Sequence, residues 1–116
     1  RFDGMELGPG VWALCRPLDW KHQIKARPIG DLLIENNTFI YHPGAPKRLL
    51  EMQNCDNVIV RNNNFIMSKP DIKAIYLDNF SAVTLSNNHY TPSFTAGYSP
   101  IILGPDASRD QLKISE

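Results

Sequence analysis

Glu51 and Asp78 are the residues of this 116-residue chain best placed to do chemistry as a pair. Each stands in a strand-like segment of alternating character, RLLEMQN (48–54) and KAIYLDN (73–79). Aligned on Met52 and Leu77, the segments set Glu51 beside Tyr76 and Gln53 beside Asp78. Neighbouring strands lie about 4.8 Å apart and two residues span about 6.6 Å, so the carboxylates would be diagonal, about 8 Å apart at the backbone. In an inverting glycosidase, carboxyls about 6.5–9.5 Å apart divide the work, one protonating the leaving oxygen and the other activating water. Tyr76 would offer a flat face to a sugar ring, with Gln53 as a further polar contact. MELG (5–8) aligns with IILG (101–104), which would place Glu6 next to Glu51 at roughly the shorter separation of retaining hydrolysis. The structural alternative is equally simple: outward positions on a solvated strand are commonly polar. A hard cation between Glu51 and Asp78 would want more oxygens than these positions supply. No cofactor is implied.

A second candidate is the stretch VWALCRPLDWKHQIKARP (11–28), with Trp12, Trp20 and Arg16 among several basic residues and Asp19 as its one acid. From Leu7 to Ile34 is 34 − 7 = 27 positions, against 60 − 52 = 8 and 85 − 77 = 8 for the matching steps downstream. About 19 extra residues, an insertion at about 10–29, would therefore emerge beside the Glu51 strand. Long loops on rigid scaffolds commonly carry binding residues. The tryptophans would stack on sugar rings, and the basic groups would suit a carboxylated or sulfated glycan. The alternative is that Trp12 and Trp20 pack the loop onto the scaffold.

The scaffold itself is a repeat. LLIENNTF (32–39) returns as VIVRNNNF (58–65) and VTLSNNHY (83–90), with Asn-Asn pairs stepping by 62 − 36 = 26 and 87 − 62 = 25. Met52, Leu77 and Leu103 step by 25 and 26 in the same register. Period-two alternation inside a repeat of about 25 residues predicts an all-β solenoid of about four coils. Three strands per coil follow: the Glu51/Asp78 strand, the strand ending at the Asn pairs, and a short one ending on Phe39, Phe65 and Tyr90. Leu50/Met52, Ile75/Leu77 and Ile101/Leu103 would point inward, as would Ile34, Val60 and Leu85. Asn tolerates left-handed backbone, so the Asn ladder has an architectural explanation. On the outer face Leu33 and Ile59 stand in one column with Thr84 and Lys113, an apolar pair that something should cover.

The ENN, RNN and SNN turns, each followed by Phe39, Phe65 or Tyr90, resemble the right-handed parallel β-helix superfamily of pectate-lyase-like proteins. That resemblance implies a secreted or periplasmic carbohydrate-active enzyme cleaving polysaccharide by hydrolysis, or less readily by elimination, with substrate along the Glu51 strand. It equally admits a non-catalytic glycan-binding or structural module. The catalytic motifs of polygalacturonases, pectate lyases and mannuronan epimerases do not occur in this chain.

Zero net charge implies neither nucleic acid nor an anionic membrane as partner, and no apolar run is long enough to span a bilayer. The chain reads as a single solenoid segment (1–116) of a larger β-helix, whose missing coils or another chain would cover its ends. Cys15 and Cys55 could form one disulfide or remain thiols.

Overall fold

The computed structural model describes residues 31–45, 47–95 and 97–115 in full, together with the backbone of strand segments 2–3, 6–7, 12–14 and 29–30. In chain order the strands are β1 (Phe2–Asp3), β2 (Glu6–Leu7), β3 (Trp12–Leu14), β4 (Ile29–Glu35), β5 (Thr38–Ile40), β6 (Arg48–Arg61) and β7 (Asn64–Ile66). They continue as β8 (Lys73–Ser86), β9 (His89–Thr91), β10 (Ile101–Leu103) and β11 (Leu112–Ser115), with one 3-10 turn at Arg109–Gln111. Among the described residues all pairing between strands is parallel, and the chain winds as a β-solenoid of about three turns.

Two sheets form its sides. One runs β1-β4-β6-β8-β10, with β3 also on β6 and β11 also on β8; the other runs β2-β5-β7-β9. The first two strands expected in each coil are one continuous element of 14 residues in β6 and in β8. Each bends where the backbone turns left-handed, at Asn54 and Asn57 in β6 and at Asn79 and Ala82 in β8. The Asn79 amide donates to Asn54 Oδ1 at 3.2 Å, so one bend is pinned to the next.

The Asn pairs behave as the sequence suggests. Asn36, Asn62 and Asn87 take positive φ, the region that Asn enters at least strain among residues with a Cβ. Their successors Asn37, Asn63 and Asn88 are buried. Asn63 Oδ1 accepts from the Asn37 backbone N–H at 3.0 Å and from its side-chain amide at 3.2 Å. Asn88 Oδ1 serves Asn63 in the same way, and Asn63 Nδ2 and Asn88 Nδ2 donate to the carbonyls of Ile34 and Val60. Phe39, Phe65 and Tyr90 stack beside this ladder at 4.7 and 5.5 Å between ring centroids. Ile34, Leu50, Met52, Val60, Ile75, Leu77 and Leu85 fill the interior as expected, and Val58 and Cys55 join them, Cys55 next to Phe80.

The upstream register differs from the expectation. Glu6 and Leu7 pair with Thr38 and Phe39 in the second sheet, so they do not continue the Glu51 strand. The backbone neighbour of Glu51 on that side is Ala13, because Trp12, Ala13 and Leu14 pair with Leu50, Glu51 and Met52. Trp12 therefore belongs to a strand, and the interruption starts later than residue 10. Leu14 and Ile29 pair with Met52 and Cys55; the first pair is 29 − 14 = 15 positions apart and the second 55 − 52 = 3, leaving 15 − 3 = 12 extra. Arg16, Trp20 and Cys15 lie outside the described residues.

Candidate functional site

Glu51, Tyr76 and Ile102 stand side by side in β6, β8 and β10, and Gln53 pairs with Asp78, as the repeat register requires. Glu51 and Asp78 thus lie diagonally across adjacent coils, with Tyr76 next to one and two residues before the other. Glu6 is on a different sheet. The diagonal pair is assembled; the Glu6–Glu51 pair is not.

Arg48 completes the group. Its Nη1 lies 2.5 Å from Glu51 Oε1, and its guanidinium carbon sits 4.1 Å from the centre of the Tyr76 ring. Residues three apart on a regular strand face opposite ways, so this contact needs a break in alternation. Leu49 and Leu50 are both buried, and so are Ala74 and Ile75 in the next coil. The N–H groups of Ala74 and Ile75 both point to the Pro100 carbonyl, at 2.8 and 3.2 Å, two residues against one as in a β-bulge. Leu49-Leu50 stand in register with Ala74-Ile75, and the same break in alternation leaves Arg48 on the face of Glu51. The sequence carried this signal as the doublets Leu49-Leu50 and Ala74-Ile75, where two apolar residues interrupt the period of two.

Arg48 changes what Tyr76 offers. One face of the ring is occupied by the guanidinium, a cation–π contact that also neutralises the nearly buried Glu51. At the other end of the group, Asp78 Oδ1 accepts the Asp106 N–H at 2.8 Å, and the Tyr76 hydroxyl lies 3.5 Å from Asp78 Oδ2. Loss of hydration pushes the Tyr76 phenol above its ordinary pKa, with the Asp78 charge adding to the effect. Gly104 sits beneath both side chains: a Cβ there would overlap Tyr76 Oη and Asp78 Cγ. The turn 104–106 therefore holds Asp78 by one hydrogen bond and by the absence of a side chain. Gly104 was visible only as the end of the aligned IILG, and nothing in the sequence marked its contacts or those of Asp106.

The arrangement Arg48–Glu51 and Tyr76–Asp78 presents charge of both signs and a half-buried aromatic to a ligand. Among the described residues no three His, Cys, Asp or Glu side chains converge as a metal site. His42 and His89 are exposed. No protein-family model, curated protein or solved structure matches the chain.

Proposed function

We propose that the chain is a glycan-contacting segment of an exported, pectate-lyase-like carbohydrate-active protein, with polysaccharide crossing the Arg48–Glu51–Tyr76–Asp78 face. The observation that carries the reading is the grouping of these four side chains on one parallel sheet. Arginine, carboxylates and a tyrosine hydroxyl supply the mixed donors and acceptors that sugar hydroxyls need. The resemblance of the ENN, RNN and SNN turns to polysaccharide-acting β-helices supports the same ligand class. Hydrolysis would use Glu51 and Asp78 as the two carboxylates on either side of the scissile bond. One observation favours binding without cleavage: Glu51 is held in an ion pair with Arg48, and Asp78 is engaged by the Asp106 N–H. Further coils of a longer chain, or a second chain, would complete the ligand surface at the solenoid ends.

A glycan array probed with the longest native chain that contains these coils tests the contact. Tyr76→Ala and Arg48→Ala are each expected to weaken binding about tenfold or more, the loss of about 1.4 kcal/mol. Binding that survives both substitutions rejects this face. Turnover on any glycan that binds then separates the two readings. Activity lost in Glu51→Gln and in Asp78→Asn establishes hydrolysis at this pair, whereas activity retained in both removes the carboxylates from catalysis.

A further inference from the structure

A second polar recess lies on the same coils, beyond the bend in β8. It is an open recess of about 270 Å³, lined by Asn57, Ala82, Thr84, Asp110, Gln111 and Lys113 among others. Two departures from the repeat create it. The first is Ala82. Asp31, Asn57 and Ala82 occupy one left-handed position in successive coils, with φ of 56, 55 and 51°. The Asn57 amide donates to Asp31 Oδ1, as the Asn79 amide donates to Asn54 Oδ1 at the neighbouring bend position. The next coil should donate to Asn57 Oδ1, but Ala82 has no side-chain donor. The ladder stops there, and Asn57 and Ala82 both line the recess.

The second departure is an insertion. From Leu77 to Val83 is 83 − 77 = 6 positions, and the matching step in the next coil, Leu103 to Leu112, is 112 − 103 = 9. The three additional positions match the length of the 3-10 turn Arg109–Gln111. That turn forms a wall of the recess, and Gln111 Oε1 takes the Ala82 N–H at 3.2 Å. It thereby satisfies the backbone of the residue that broke the ladder.

We propose that this recess binds a single sugar residue of a neutral glycan, at a site separate from the Tyr76 face. Ligand pockets for drug-sized molecules run from about 300 to 1,000 Å³, so this volume suits one ring. Asn57 Oδ1 and the Asp110 carboxylate accept hydrogen bonds, the Lys113 ammonium donates, and the Thr84 hydroxyl does both, which matches sugar hydroxyls. One cation and one anion at the rim leave no net charge to select an acidic or basic ligand. The choice of a sugar rests on the glycan reading above; the recess itself rests on Ala82 and the inserted turn.

The test is an amide-resolved NMR titration of the whole chain with the methyl glycosides of glucose, galactose and mannose. At least one is expected to shift the amides of Asn57, Thr84, Gln111 and Lys113 in a saturable way. Ala82→Asn, which supplies the missing donor and fills the recess, should weaken that binding about tenfold or more while raising the melting temperature. Asp110→Asn, at an exposed position, should weaken it as well, and Tyr76→Ala should leave it unchanged. The absence of saturable shifts with all three glycosides overturns the proposal, as does binding that persists in both Ala82→Asn and Asp110→Asn. Failure of the Tyr76 face is read from the array in an Ala82→Asn background, where the recess is filled, so the two results are distinguishable.

Discussion

Asn63 and its neighbour Asn64 have the same chemistry and opposite expected importance. Asn63 accepts two hydrogen bonds from Asn37 and donates to the Ile34 carbonyl and to Asn88, all in the interior. Asn63→Ala would take the acceptor from the Asn37 N–H and side-chain amide and the side-chain donor from the Ile34 carbonyl, each loss being about 1–3 kcal/mol. A destabilisation of about 3 kcal/mol is expected in urea unfolding; a change below about 1 kcal/mol would mean that the ladder is not a source of stability. Asn64 Oδ1, by contrast, is buried with no donor among the described residues. Asn64→Thr, the residue type at the matching position 38, removes that unmet acceptor and suits a strand better. Its stability should equal or exceed that of the parent, and a loss of more than about 1 kcal/mol would show that Asn64 has an important partner. Tyr76 gives a prediction in pH. Its folded phenol ionises above the ordinary value near 10, so its contribution to stability is complete below that value and declines as pH rises through the raised one. Ultraviolet titration of the wild type against Tyr76→Phe should place this phenol above the ordinary range, and Asp78→Asn should bring it part of the way back. A Tyr76 that ionises at or below the ordinary value would contradict the packing around Gly104.

The bent 14-residue strands and the aromatic stack set what each coil contributes. Phe65 is the central ring of the stack, fully buried and parallel to both Phe39 and Tyr90 within 11°. Phe65→Ala should therefore cost about 3–5 kcal/mol, the range for deleting a core aromatic. Phe39→Ala, with one stacked neighbour instead of two, should cost less, and equal losses would argue against additive stacking. These elements were legible in the sequence because period two, the Asn pairs and the aromatic positions all return at the same step. The β1–β3 region was not. MELG resembles IILG over four residues, yet Phe2 and Asp3 pair with Ile34 and Glu35, and Glu6 and Leu7 with Thr38 and Phe39. At that offset of 34 − 2 = 32, Gly4 aligns in sequence with Asn36. A Gly in the Asn column was the available signal. The Glu51–Asp78 diagonal was readable because register alone decides it. Arg48 was not, since its direction depends on a break in alternation that only two pairs of adjacent apolar residues reveal.

Taken as a whole, the molecule is a one-dimensional stack in which each coil rests on its neighbours. Among the described residues β10 and β11 are paired along one edge only, both against β8. Their other edges present backbone donors and acceptors in strand geometry, the arrangement that most readily recruits another strand. Ile102 and Ile114 lie on these strands at 42% exposure each, adding apolar surface beside the open hydrogen-bonding groups. No net charge opposes contact between copies. A polypeptide of these 116 residues alone is therefore expected to associate through its β10–β11 end in a concentration-dependent way. Sedimentation over a range of concentrations would register this as a rising average mass. Ile114→Lys places a charge on the open edge at an exposed site, where it should lower association without affecting the melt of the dilute protein. Association that Ile114→Lys and Ile102→Lys both leave untouched would locate the contact elsewhere, with the outward Leu33–Ile59 pair as the next surface to substitute.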